Sequence, residues 1–310
     1  MRIIFMGTPE FAVASLAALL EAGEEVVAVV TGPDRPAGRG QKLSQSAVKQ
    51  FAVEKGIPVL QPEKLKDPEF VEQLRQYKAD LQIVVAFRML PEIIWNMPPK
   101  GTVNLHASLL PQYRGAAPIN QAIMNGETET GVTTFLLQHE IDTGNVLFAE
   151  KVAIGPTDTA GVLHDKLMKT GAELITKTVR ALAEGNVTPI PQEDLGTTNL
   201  HAAPKIFKED CLIDWNHPTD KVYNHIRGLS PYPAAFTYLH NKVLKIYAAE
   251  KELATDHQAL PTAGTPLSDG KTHLKFATVD GFIQAVEVQL EGKRRMQVGE
   301  FLRGYQWVNE

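Results

Sequence analysis

The chain has 310 residues, of which 44% are hydrophobic and 22% charged, and its formal net charge is −5. That size and composition fit a globular chain of two domains, and no apolar run approaches the ~18 residues of a membrane-spanning helix. The mild acidity argues against a protein that is basic all over, so any nucleic acid would be met by local patches. The single cysteine, Cys211, excludes an internal disulfide framework and a cysteine-built zinc site.

The N-terminus runs directly into a strand, RIIFM (2–6), with no signal-peptide core, which predicts a cytoplasmic protein. Thr8 can cap the helix that follows, Pro9 suits its first position and Gly23 its end. EVVAVV (25–30) predicts a second strand. The next stretch, PDRPAGRGQK (33–42), carries prolines and glycines enough to predict an irregular loop, and sets Arg35, Arg39 and Lys42 against Asp34. Helical periodicity returns at 46–56, an extended segment at 57–60, and a helix opened by Asp67 and Pro68 at 67–80. Residues 81–87 and 102–108 predict further apolar strands. This alternation predicts an α/β fold: a Rossmann-like, doubly wound, mostly parallel sheet covered on both faces. Its first turn, Met6-Gly7-Thr8-Pro9, lacks the glycine fingerprint of a dinucleotide site.

A long helix is predicted over 159–185, then a turn-rich stretch. We divide the chain into a catalytic domain (1–188), a linker (189–206) and a smaller C-terminal domain (207–310). In the last, hairpin signals at His240-Asn241 and Asp280-Gly281 predict a small antiparallel β-barrel.

The segment TVNLHASLLPQYRGAAP (102–118) carries the most chemistry. Asn104 and His106 lie two apart at the end of a strand, so both side chains share a face. Beyond the carboxyl ends of such strands lies the ligand crevice of a doubly wound sheet. An amide and an imidazole there can polarise one carbonyl oxygen, although a lone pair of this kind is also what a plain strand end carries. Farther on stands Asp142-Thr143-Gly144. Aspartic proteases use that tripeptide twice, for two aspartates sharing a proton, and it occurs once here. Asp142 can mark a simple turn, or meet His106 in the crevice and orient its ring. The other histidines make no metal-ligand spacing.

Taken together, NLHASLLP, YRGAAP, IDTG, the opening RIIFMGTPEFA and the C-terminal PKIFKEDCLIDW resemble the folate-dependent formyltransferases, and most of all the branch acting on methionyl-tRNA. The resemblance covers nearly the full length. One departure is Ala86-Phe87-Arg88-Met89-Leu90-Pro91, a residue shorter than the family's usual run before the catalytic strand.

The resemblance implies transfer of a formyl group from 10-formyltetrahydrofolate, a co-substrate, to the α-amine of initiator methionyl-tRNA, without a metal. It implies Asn104, His106 and Asp142 as the catalytic trio and Ser108, Leu109, Leu110 and Pro111 as the folate-lining segment. It implies an OB-like C-terminal domain and a monomer without membrane attachment. Local basic residues, Arg35, Arg39 and Lys42 in the loop and Lys205, Lys208, Lys293, Arg294 and Arg295 farther on, are the expected tRNA contacts. A formyltransferase for an amino-sugar nucleotide is the alternative. A non-enzymatic nucleotide-binding protein of the same fold would not need the trio.

Overall fold

The structure, a computed structural model, describes residues 1–37, 42–255 and 259–306. Its elements run β1 (Arg2–Gly7), α1 (Glu10–Glu21), β2 (Glu25–Val30), β3 (Arg35–Ala37), β4 (Lys42–Ser44), α2 (Ala47–Glu54), β5 (Val59–Leu60), α3 (Pro68–Gln76), β6 (Leu81–Val85), α4 (Glu92–Trp95), β7 (Thr102–His106), β8 (Arg114–Gly115), α5 (Pro118–Met124), β9 (Glu129–Leu136), β10 (Val146–Ala153) and α6 (Ala160–Glu184). A 3-10 turn at Gln192–Leu195 precedes β11 (Ala202–Ala203), α7 (Thr219–Gly228), β12 (Ala235–Leu239), β13 (Lys242–Leu253), β14 (Pro266–Ser268), β15 (Leu274–Ala277), β16 (Gly281–Leu290), β17 (Met296–Gln297) and α8 (Val298–Arg303). The chain divides into two compact units. One comprises Met1–Gly115, Thr130–Val152 and His164–Ala202, the other Ala116–Glu129, Ala153–Leu163 and Ala203–Glu310.

The first unit is built on a sheet of order β10-β9-β7-β6-β1-β2-β5. The strands from β7 to β5 pair in parallel, and β9 pairs with β7 antiparallel. All five residues of β6 are buried, as parallel strands covered on both faces require. One face packs Ile4, Met6, Val30 and Val84 against Phe70 and Leu74 of α3. The Rossmann-like sheet expected from the sequence is therefore present.

Two local expectations change. The N-cap of α1 is Pro9 in extended backbone, and no side chain caps it, so Thr8 does not fill that place. A proline there has no N–H to satisfy. Likewise, within the 33–42 stretch Pro33 and Asp34 are irregular, but Arg35–Ala37 and Lys42 are not. β3 and β4 pair as a short antiparallel ladder, Arg35 opposite Ser44 and Ala37 opposite Lys42. A two-stranded ribbon tolerates Pro36, whose nitrogen cannot donate to a ladder. The ribbon's base is pinned by Asp34, which accepts from Lys49 Nζ at 2.5 Å and Gln61 Nε2 at 2.8 Å. Those bonds, that from Lys49 first, lower the Asp34 pKa.

In the second unit the strands run β12-β13-β16-β15-β14, with β17 beside β16, all antiparallel. His240 and Asn241 have φ of 44° and 62°, as a two-residue hairpin turn requires. The register between β13 and β16 shifts around Ala248, and such bulges bend a strand. The antiparallel barrel expected from the hairpins takes the form of a curled half-barrel. Its core includes Trp215, Phe236, Ile246 and Phe276, with the Trp215 and Phe276 rings stacked 4.7 Å apart.

Candidate active site

The chain runs outward from β1 through β2 to β5, then returns to β6 on the other side of β1. A crevice opens at such a switch point, beyond the carboxyl ends of the strands. β7 lies next to β6 and ends at His106. Val103 and Leu105, buried on one face, fix this strand's orientation, so Asn104 and His106 share the other. Asn104 is half-buried, and among the described residues its carboxamide has no hydrogen-bond partner.

His106 is buried, and its Nε2 lies 2.8 Å from the Tyr113 carbonyl oxygen. A carbonyl only accepts, so Nε2 carries the proton and donates it. Nδ1 faces Asp142 Oδ2 at 3.7 Å. That separation brings the ring beside a carboxylate but exceeds a hydrogen bond.

Asp142 is buried too, and sits at φ +56°, an unusual backbone region for a residue with a side chain. Its Oδ2 accepts from the Gly115 N–H at 3.0 Å. Two residues on, Gly144 runs so close to β9 that an added Cβ would stand 1.6 Å from the Leu136 carbonyl oxygen. The tripeptide thus needs its glycine for close approach of two backbones.

The residue that sequence reasoning missed is Gln192. It falls in the segment taken as linker, yet is 2% exposed. Its Nε2 donates to the carbonyls of Asp142 and Gly144, each at 2.8 Å. Its Oε1 accepts from Arg114 Nε at 3.0 Å and Nη2 at 2.6 Å. Only the glutamine at the right place in space shows this, and nothing in its flanking sequence signals it.

The Ser108–Pro111 segment is held rigidly. Ser108 Oγ donates to the Gln112 carbonyl at 2.6 Å. Thr133 Oγ1 donates to the Ser108 carbonyl at 2.7 Å and accepts from the Leu110 N–H at 3.1 Å. Ser108, Leu110 and Pro111 are buried, which leaves Leu109 and the backbone as the more open features. At the departure noted above, Arg88 donates to the Pro62 carbonyl at 2.7 Å and the Glu63 carbonyl at 3.1 Å. Burial lowers its pKa.

The expected basic contacts fare unequally. Arg35 is exposed on β3 and Lys42 lies in β4, while Arg39 lies outside the described residues. Lys205 sits over the exposed Phe207 ring at 5.4 Å. Lys208 precedes the 3-10 turn at Glu209–Cys211, and neither it nor Lys293 forms an ion pair among the described residues. Arg294 pairs with Glu300, and Arg295 with Glu287. No group of three or more His, Cys, Asp or Glu among the described residues could hold a metal ion, and no described helix is long and apolar enough to cross a membrane.

Comparison with known proteins adds to this geometry. The family described as formyl transferase matches residues 1–179, and the formyl transferase C-terminal domain matches residues 205–306. The methionyl-tRNA formyltransferase of Bacteroides thetaiotaomicron is 57% identical over 311 residues, covering 98% of this chain and 96% of that one. The methionyl-tRNA formyltransferase of Parabacteroides distasonis is 54% identical, covering 100% and 97%. Among solved structures, the N-formyltransferase of Helicobacter canadensis in complex with folinic acid and dTDP-3-aminofucose superposes with a TM-score of 0.66 at 19% identity, over 91% of this chain and 98% of that one. HypX of Aquifex aeolicus in complex with tetrahydrofolic acid gives 0.65 at 20%, over 100% of this chain and 50% of that one. These structural likenesses speak for the fold.

Proposed function

The chain belongs to the formyl transferase family, and from its likeness to the methionyl-tRNA branch we infer that it transfers a formyl group from 10-formyltetrahydrofolate to the α-amino group of methionyl-tRNA, the initiator species. The observation that carries this is identity of 57% and 54% to two such enzymes over nearly the whole of both chains. The sugar-directed relative shares 19%.

The attacking amine must be neutral, and a free α-amino group titrates near ~7.7–8.0. Its nitrogen bonds to the formyl carbon and gives a tetrahedral oxyanion. The bond from that carbon to N10 then breaks, and the proton shed by the attacking nitrogen ends on N10. Asn104, unpaired among the described residues, has an N–H to offer the oxyanion. The His106 Nε2–H is engaged in its hydrogen bond to the Tyr113 carbonyl, so Nδ1 is the atom that meets the substrates. Nδ1 carries the proton between the two nitrogens, and Asp142 sets the charge beside it. Ser108 to Pro111 meet the folate through Leu109 and a backbone that Thr133 keeps fixed.

Residues 1–188 perform this chemistry, the 189–206 linker lends them Gln192, and 207–310, an OB-like domain, hold the tRNA in the cytoplasm. Lys205, Lys208 and Lys293 are the better phosphate contacts, since Arg294 and Arg295 would have to leave glutamate partners. Initial rates with methionyl-tRNA and with a UDP-amino sugar, compared under one donor concentration, test the reading. Transfer to the tRNA is expected; faster transfer to the sugar would replace it with the amino-sugar alternative.

From the basic sequence of this stretch we assign Arg39, which lies outside the described residues, to the acceptor stem, together with Arg35 of β3 and Lys42 of β4, whose ribbon is anchored at Asp34. A good bidentate arginine contact to a base is worth ~1–3 kcal/mol. Arg39→Ala is therefore expected to lower kcat/KM for methionyl-tRNA about tenfold or more, while the Kd for folate stays put. Unchanged kcat/KM would return the loop to the role of a surface turn.

A further inference from the structure

The structure assigns Gln192 as a positioning residue of the formylation site, acting through Asp142; this rests on the catalytic reading of Asp142 given above. A primary amide has two donor hydrogens and can accept two bonds. Gln192 uses all four. Both hydrogens reach the carbonyls that bracket Thr143, those of Asp142 and Gly144. Both acceptor positions face the Arg114 guanidinium. The partners also settle the amide's orientation, because an oxygen could not face two carbonyls.

The consequence is a closed brace. Arg114 stands between Tyr113, whose carbonyl accepts a hydrogen bond from His106 Nε2, and Gly115, whose N–H donates to Asp142 Oδ2. Gln192 joins the guanidinium of Arg114, the residue between those two contacts, to the backbone of Asp142 itself. Asp142 sits at φ +56°, and a residue in that region stays there only where its surroundings hold it. With Gln192 bonded on both sides of Thr143, that backbone has one position, and the 3.7 Å between His106 Nδ1 and Asp142 Oδ2 is set with it. Because Gln192 is 2% exposed, water cannot easily take over its bonds. The 3-10 turn after β10 and α6 is thus part of the catalytic scaffold rather than a spacer.

Two variants separate this from plain anchoring of the linker. Gln192→Glu keeps an acceptor for Arg114 and removes both donors to Asp142 and Gly144. Gln192→Ala removes everything. Each is assayed in the full-length enzyme and in the Asp142→Ala background, with kcat, KM for both substrates, the pH profile of kcat, and folate binding to count folded sites. Misplacing a reacting group by ~1 Å costs on the order of 10²-fold. We expect Gln192→Glu to lower kcat roughly ten- to a hundredfold with KM changed less than about twofold, to shift the kcat pH profile, and to have no further effect once Asp142 is alanine. Anchoring alone predicts instead that Gln192→Glu keeps wild-type kcat and pH profile, and that any loss in Gln192→Ala is repeated in full in the Asp142→Ala background; either result overturns the assignment. If Asp142→Ala alone retains wild-type turnover, the catalytic reading of Asp142 fails, and the role of Gln192 fails with it.

Discussion

His106→Ala and Asp142→Ala each lower kcat for formylation of methionyl-tRNA by at least ~10²–10³-fold, the usual loss when a group that stabilises the transition state is removed. Steady-state formylation with folate-titrated enzyme checks this. The two losses are not additive, because the ring and the carboxylate act on one proton; the double variant is no more than a few-fold slower than the worse single one. They differ in stability. Removing the Asp142 carboxylate leaves the part-buried Gly115 N–H without its acceptor, at a cost toward the lower end of the about 1–3 kcal/mol of a fully buried unpaired group. Asp142→Ala should therefore melt several degrees below wild type yet still fold. Near wild-type turnover in either single variant removes that residue from the mechanism.

Asn104→Ala is expected to show the opposite balance: a comparable ~10²–10³-fold loss in kcat with almost no change in Tm. The carboxamide is half-buried and has no partner within the described chain. Its removal leaves no orphaned group behind, so folding loses little. A polar side chain that the described residues leave unpaired, beside a buried histidine, is arranged for a ligand. Thermal melts and kinetics on one preparation decide it. A large fall in Tm with little loss of kcat would make Asn104 a structural residue instead.

The pair Asn104 and His106 was legible because a strand's period of two needs no tertiary information. The doubly wound sheet was legible for a similar reason: strands buried on both faces write continuous apolar runs, as Leu81–Val85 does. What stayed hidden depends on contacts between distant segments. Nothing near Asp142 in the sequence says that the Gly115 N–H will hold it. Gln192 lies among prolines and acids that read as linker, and its burial follows only from where Arg114 and the Asp142 loop arrive. The ribbon of β3 and β4 was masked by Pro36, which argues against a strand in the middle of a sheet but is tolerated on a free edge. Residues Ala116–Glu129 and Ala153–Leu163 group with the C-terminal unit, and no composition shift marks them.

That formyl transfer takes place where Asn104, His106 and Asp142 meet is tested most directly by a crystal structure with 5-formyltetrahydrofolate, a non-reacting relative of the donor. The prediction is a formyl group within ~3 Å of the Asn104 amide, beside His106 Nδ1, with the pterin against the Ser108–Pro111 backbone. A folate bound with its formyl group out of reach of all three side chains would contradict it.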